Sequence, residues 1–245
     1  MNPTIKLGQG IPLVDLHAHL EGALSVERAV QLADERGVVL GMVEHGGRGQ
    51  ALHDDETLTR YVHELAPYPV YKGMQAEGLD WAACFSEAAL AGLDFVLSDA
   101  LTLPAGDGRH VRLWTPEVRI DDPQDFMERY VAFHLQVMAT PIDIMANLTF
   151  LPACIAAGYD TLWTEARMEA LIGAAVEHKI ALEINARYRI PSAAFIRRAK
   201  AAGARVSFGS NEHGAEVGKL AYCLEMVEAC GLERADLWSH SRTLR

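Results

Sequence analysis

Short apolar segments alternate with longer segments of helical periodicity along the whole chain, and this alternation constrains the fold more than any other feature of the sequence. Strict strand–helix alternation is typical of parallel sheets whose crossovers are helices. The apolar segments predict seven strands, over residues 13–17, 38–45, 69–74, 93–98, 142–146, 180–185 and 205–209. The periodic segments predict seven helices, over residues 25–33, 55–65, 79–91, 122–138, 164–177, 191–202 and 215–230. We expect an α/β fold, a TIM-like barrel of seven β/α units, with an open doubly wound sheet as the competing architecture.

Composition narrows the classes of protein to which this chain can belong. The chain has 245 residues, half of them hydrophobic, with no linker rich in Pro, Gly or Ser, so we expect a single domain over residues 1–245. A net charge of -11 disfavours a nucleic-acid partner. No long apolar segment predicts a membrane span. The four cysteines form no C-x-x-C pair, which is consistent with a reducing, cytoplasmic environment. The sequence does not indicate an oligomeric state.

Polar side chains occur where each predicted strand ends. In β/α barrels the chemistry lies at the C-terminal ends of the strands, so these residues predict one shared site. The first strand ends at His17 and His19, which fall on one face because side chains alternate along a strand. The other residues at these positions are Glu21, Glu44, His45, Gln75, Glu77, Asp99, Asn147, Asn185, Arg187, Arg189, Asn211, Glu212 and His213.

The residue types at this predicted site favour a divalent metal and an anionic substrate. Imidazole and carboxylate ligands suit Zn, Mn or Fe, and such a metal lowers the pKa of a bound water. The alternative for His17 and His19 is a pair of surface histidines beside a turn. Arg187 and Arg189 stand two residues apart and could both hold a phosphate or carboxylate, or could instead pair with surface acids.

Several segments resemble the PHP family, the polymerase and histidinol phosphatase group of metal-dependent phosphoesterases. Val14-Asp-Leu-His-Ala-His19 matches its first motif, Gly41-Met-Val-Glu-His-Gly46 is similar to its second, and Phe208-Gly-Ser-Asn-Glu-His213 is similar to its Gly-Ser-Asp-x-His motif. The strand Leu182-Glu-Ile-Asn185 is similar to the one before the family's last motif. The resemblance implies a distorted barrel of seven β/α units with up to three metals.

The chain departs from the family pattern at four ligand positions. Gln75 stands where the family has a bridging Glu, Leu101 where it has a His, Asn147 in place of a His, and Asn211 in place of an Asp. Glu77 and Asp99, each two residues from a lost ligand, are candidate replacements. These losses predict one or two metals (Zn, Mn or Fe) instead of three.

The resemblance and the strand-end pattern together predict a complete set of site residues. The predicted metal ligands are His17, His19, His45, Glu77, Asp99 and His213. Glu77 and Asp99 are also the predicted catalytic residues, and the predicted substrate-binding residues are Glu21, Asn185, Arg187, Arg189 and Asn211. Glu183 is either an acid that orients a metal ligand or a buried partner of an arginine.

The predicted activity is hydrolysis of a small anionic substrate, most simply a phosphomonoester, by a metal-activated water. A local resemblance supports one alternative, because His17-Ala-His-Leu-Glu-Gly-Ala-Leu24 is similar to the first motif of adenosine deaminases in the amidohydrolase superfamily. That resemblance implies a deaminase with a single metal. The lost acidic ligands support another alternative, a degenerate barrel that binds a ligand without catalysis.

Overall fold

Seven parallel strands form a nearly closed barrel in a computed structural model that describes residues 11–20, 24–105 and 110–239. Each strand pairs in parallel with the next one of the barrel along the chain. The barrel strands are β1 (Val14–His19), β2 (Val39–Gly46), β3 (Tyr71–Ala76), β4 (Phe95–Asp99), β7 (Ile144–Ala146), β8 (Ala181–Asn185) and β9 (Val206–Gly209). An antiparallel hairpin of β5 (Thr102–Pro104) and β6 (His110–Arg112) lies outside the barrel. The predicted seven-unit α/β barrel is therefore confirmed.

The segment that follows β9 brings the last strand of the barrel back to the first. The backbone N–H of His19 donates to the carbonyl of Glu212 at 2.9 Å, and the N–H of Asn211 donates to the carbonyl of His17 at 2.7 Å. These bonds bring two predicted site segments together at the C-terminal end of the barrel. Because β1 and β9 meet in this way, the competing prediction of an open doubly wound sheet is wrong.

Among the described residues, seven α-helices lie between strands and an eighth follows the last strand, and local capping signals explain most of their limits. Ser25 accepts a hydrogen bond from the N–H of Arg28 at the start of the first helix, and Gly37 ends it in a left-handed conformation. Asp122 caps the fourth helix, whose first residue is Pro123. The helices are α1 (Val26–Arg36), α2 (Asp55–Leu65), α3 (Glu87–Leu90), α4 (Pro123–Met138), α5 (Tyr159–Leu162), α6 (Glu165–His178), α7 (Ala193–Ala201) and α8 (Ala221–Cys230). None of the helices in the described ranges is long and apolar enough to cross a membrane.

The structure corrects two of the helices predicted from sequence. The predicted helix over 79–91 is a 3-10 turn at Trp81–Cys84 followed by the short α3. Phe85 is extended between them, and the side chain of Ser86 starts a new helix by accepting from Ala89 N. The predicted helix over 215–230 begins only at Ala221. The guanidinium of Arg36 accounts for this delay, because it binds the carbonyls of Ala215 and Val217 and holds that segment as a loop.

Side chains fill the inside of the barrel below its C-terminal end. The interior cluster contains Leu16, Val43, Phe95, Leu97 and Ile144, all nearly or fully buried. Gly41 is required beside them, because a Cβ there would lie 2.9 Å from Leu16 Cδ2 and 3.0 Å from Phe95 Cε1. Larger clusters fill the layers between the strands and the outer helices. The barrel is therefore a packed core, with a cavity where its strands end.

One buried histidine in α4 couples the stability of the fold to pH. His134 is fully buried, its Nδ1 bonds to the carbonyl of Tyr130 at 2.7 Å, and its Nε2 has no hydrogen-bond partner. Burial lowers the pKa of His134 to about 4, against the opposing effect of the Tyr130 carbonyl. The imidazole is therefore neutral in the folded protein at neutral pH.

We predict that the free energy of unfolding falls by about 3 kcal/mol as the pH drops from about 6.5 to about 4, through His134 alone. The sign follows from proton binding, because in this range the unfolded chain binds a proton at His134 that the folded chain does not. In His134→Phe this component of the pH dependence is lost, whereas the control variant His178→Gln, at the exposed end of α6, retains it. Urea denaturation at several pH values measures the effect. Parallel curves for the wild type and His134→Phe would contradict this account.

Candidate metal centre

A polar cavity of about 290 Å³ lies at the C-terminal end of the barrel strands. Seven residues predicted from sequence to form the site line it: His19, His45, Glu77, Asp99, Arg187, Asn211 and His213. The remaining lining residues are Gln75, Leu101, Thr102, Trp114 and Tyr188. Most of the predicted site residues therefore lie around one cavity at the strand ends, as expected for a β/α barrel.

Three histidine rings are stacked in this cavity. The ring of His19 lies 4.3 Å from that of His213 at an interplanar angle of 6°, and 5.0 Å from that of His45 at 22°. Burial lowers the pKa of His19 strongly, and the adjacent imidazoles of His17, His213 and His45 lower it further. His19 is therefore neutral, and a neutral imidazole has an electron pair that a metal ion can accept.

His17 lies just beneath the cavity and is held by a buried acid. Its Nδ1 is 2.7 Å from Oε1 of Glu183, and its Nε2 is 3.1 Å from Oε1 of Gln75. Burial opposes a positive charge on His17, but the carboxylate of Glu183, helped by Asp99, outweighs it and raises the pKa of His17. Glu183 therefore pairs with a histidine and not with an arginine, and it orients the ring of a predicted metal ligand.

Glu183 also joins two other strand ends to the site. Its Oε2 accepts from the backbone N–H of Asn147 at 3.1 Å and from Nδ2 of Asn185 at 3.0 Å. The carboxylate fits because residue 209 is a glycine. A Cβ at Gly209 would clash with the Glu183 carboxylate and would lie 2.7 Å from Cβ of His17.

His45 and Glu77 form a second histidine–carboxylate pair, at the cavity wall. Nδ1 of His45 is 2.8 Å from Oε1 of Glu77, and the same oxygen accepts from Nε2 of Gln75 at 3.0 Å. Burial opposes a charge on His45, yet the bond to Glu77 raises its pKa. Burial also raises the pKa of Asp99, and the negative charge of Glu77 raises it further. A bound cation would relieve this repulsion between the two acids.

The loop that carries Asn211 and His213 is fixed from below by Asp15. The buried carboxylate of Asp15 accepts from the N–H and hydroxyl of Ser210 at 2.8 and 2.6 Å, and from the N–H of Gly218 at 2.8 Å. Burial raises the pKa of Asp15, while these donors favour its charged form. Asn211 adopts φ 50°, in the left-handed region, which turns the chain over the cavity.

Two of the described residues that were predicted to bind substrate are not in the cavity wall. Asn185 is completely buried. Its Nδ2 donates to Glu183, and its Oδ1 accepts from the backbone N–H of Tyr188. Its side chain therefore orients these neighbours and does not contact substrate. Arg189 faces away and pairs with Glu225 at 2.8 Å, so the expectation that both arginines line one site is wrong. Glu21 lies outside the described residues.

Sequence reasoning missed Tyr188 and Thr102 as wall residues, and it identified Leu101 only as the position of a lost family ligand. Thr102 and Leu101 reach the cavity because the chain folds back after β4 into the hairpin, where the sequence predicted only a long loop. Tyr188 lies in the sequence between Arg187 and Arg189, the two residues that were predicted to bind an anionic substrate. The position of Tyr188, three residues after a strand end, was the available signal.

The donor set fits a divalent metal, although the side chains are not yet gathered around one point. Metal-binding histidines commonly donate their other ring N–H to a carboxylate, and His17 and His45 each contact one in this way. In the described ranges, however, no group of three or more His, Cys, Asp or Glu side chains is positioned to hold a metal ion. Metal binding at these residues therefore requires side-chain shifts such as turning Glu77 away from His45.

Comparison with solved structures supports the fold assignment. Histidinol phosphate phosphatase from Lactococcus lactis, solved in complex with zinc, L-histidinol and phosphate, superposes with a TM-score of 0.65 at 13% identity over 90% of this chain and 94% of that one. Two other matches are too distant to support any argument. One is a chain of archaeal ribonuclease P, with a TM-score of 0.43 at 13% identity over 89% of this chain and 90% of that one. The other is a β-mannanase from Streptomyces thermolilacinus, with a TM-score of 0.42 at 12% identity over 95% of this chain and 82% of that one. No protein-family model matches the sequence. No curated protein sequence matches it either.

We predict that Glu183→Gln lowers the free energy of unfolding by roughly 2–4 kcal/mol. The glutamine side chain has no negative charge to pair with His17. When its amide oxygen accepts from His17, its NH₂ group meets the N–H donors of Asn147 and Asn185, which then lose their acceptor. The matched control is Glu177→Gln on the exposed side of α6, which changes stability by less than about 0.5 kcal/mol. Urea denaturation compares the two variants, and equal midpoints would contradict the role given to Glu183.

Proposed function

We propose that this protein is a metal-dependent hydrolase that cleaves a small phosphomonoester with water. The observation that carries the proposal is the cavity wall, in which three stacked imidazoles share one space with two interacting acids and one arginine. This combination provides ligands for a cation and a donor for an anion within one space of about 290 Å³.

Charge balance explains why an anionic substrate would need a metal here. Among the described residues that line the cavity, Arg187 is the only Lys or Arg, while Glu77 and Asp99 are acids. A phosphomonoester dianion entering this wall alone would be repelled by the two carboxylates. One or two divalent cations reverse that balance, which supports a substrate that binds together with metal.

The residues that would hold the metal are His17, His19, His45, Asp99 and His213, with Zn, Mn or Fe as the ions their donor atoms suit. When bound, such an ion lowers the pKa of a water molecule and neutralises charge on the phosphoryl oxygens. The similarity in fold to a phosphatase solved with zinc and phosphate supports this assignment of chemistry.

The protein's own side chains would position the substrate and handle protons. Arg187 is exposed at the rim, and its Nη1 donates to the carbonyl of Asn211 at 3.0 Å and lies 3.9 Å from Oε2 of Glu212. Its Nε and Nη2 donors would bind phosphoryl oxygens. Glu77 would accept a proton from the attacking water after turning away from His45, to which it is bonded here. Trp114, also at the rim, would reduce the access of solvent to the cavity.

We expect phosphate release from p-nitrophenyl phosphate in the presence of Zn or Mn, and loss of that activity in His19→Ala. Arg187→Ala should lower kcat/KM by a factor of about 10² or more, because it removes charge-assisted bonds to the phosphoryl group. The matched control is Arg198→Ala, whose arginine pairs with Glu165 on the outer surface. Equal rates in His19→Ala and the wild type would contradict the proposal, as would release of ammonia from amino-substituted substrates without release of phosphate.

A further inference from the structure

A second and larger cavity, of about 500 Å³, lies beside the candidate metal centre. It is formed by the connection after β7, the connection after β8, and α8. Four aromatic side chains and one methionine contribute to its wall: Phe150, Tyr159, Tyr188, Tyr222 and Met226. None of the residues predicted from sequence to bind metal lines it. The cavity is large enough for an organic group of substantial size.

One tyrosine lies between the two cavities and contributes to the wall of each. Tyr188 lines both the metal-centre cavity and the second cavity, whereas its neighbours Arg187 and Arg189 each line one of them. Arg189 has φ 54°, so the chain turns at this residue. The ring of Tyr188 is braced by Phe150, edge to face at 4.8 Å. The two cavities are therefore adjacent, and a ligand that passes over the Tyr188 side chain would occupy both.

The second cavity has no uncompensated charge. Arg189 and Glu225 form an ion pair at 2.8 Å, and the Arg189 guanidinium lies 4.7 Å from the centre of the Tyr222 ring. The Tyr222 hydroxyl donates to the carbonyl of Pro191, and the Tyr159 hydroxyl donates to Thr149, each at 2.7 Å. Because these polar groups are already paired, the cavity favours an uncharged ligand that offers flat apolar surface.

We propose that the second cavity binds an uncharged aromatic group of the substrate, while its phosphate occupies the metal-centre cavity. This inference rests on the proposed function and narrows its substrate class to phosphomonoesters of alcohols that carry an aromatic ring. In the reaction, the P–O bond to the alcohol breaks and a P–O bond to water oxygen forms. A proton from the water passes to the alcohol oxygen, so an aromatic alcohol and inorganic phosphate are the products.

The test uses Ala193→Trp, which places a large side chain in the second cavity at the first residue of α7. Ala194→Trp is the matched control, because Ala194 is the next residue of the same helix and is exposed. Thermal denaturation shows whether both variants fold. If Ala193→Trp does not fold, Met226→Trp fills the same cavity from α8.

The expected result is that Ala193→Trp lowers kcat/KM for 1-naphthyl phosphate roughly tenfold or more, with little change for glycerol 2-phosphate. Binding of 1-naphthol, followed by fluorescence, should weaken to the same extent, and Ala194→Trp should match the wild type in both assays. If no variant releases phosphate but naphthol binding still depends on residue 193, the proposed hydrolysis fails while the aromatic site stands. Equal naphthol affinity in the wild type and Ala193→Trp, or no binding to the wild type, would overturn the inference.

Discussion

The buried carboxylate of Glu183 is the interaction on which the rest of the site depends. It binds His17 on β1, the backbone after β7 at Asn147, and the amide of Asn185 on β8. A buried acid is costly unless its oxygens are satisfied, and three donors from three strands satisfy it. Gly209 on β9 provides the space that the carboxylate occupies. One side chain thereby fixes the relative positions of four strand ends.

The electrostatics of the cavity follow from this buried frame. The frame sets the orientation of His17, whose ring lies 5.2 Å from that of His19, and His19 in turn stacks on the rings of His45 and His213. Burial disfavours the charged forms of both Asp99 and His19. The charge of Glu77 then raises the pKa of Asp99 further, and the neighbouring imidazoles lower the pKa of His19 further. A divalent cation is the simplest group that would stabilise both the charged acids and the neutral imidazoles as its ligands. The aromatic cavity beyond Tyr188 adds a second, uncharged environment beside this one.

The sequence was sufficient for the barrel because strand–helix alternation and capping residues are local signals. The limits of α2 and α4 agree with the pattern, and seven predicted residues line one cavity. The failures have non-local causes. The loop before α8 depends on Arg36, about 180 residues away in sequence, and spacing alone could not separate Arg187 from Arg189, which differ by a turn in the backbone. The pairing of Glu77 with His45 likewise depends on the register between β2 and β3.

Metal stoichiometry is the most direct test of the central claim that these side chains form a metal centre. The measurement is inductively coupled plasma mass spectrometry on protein purified without chelator and again after equilibration with Zn, Mn or Fe. The account predicts about one or two equivalents of a divalent metal in the wild type. It also predicts loss of that metal in His19→Ala, with the fold intact by circular dichroism. A folded wild-type protein that takes up no metal under any of these conditions would contradict it.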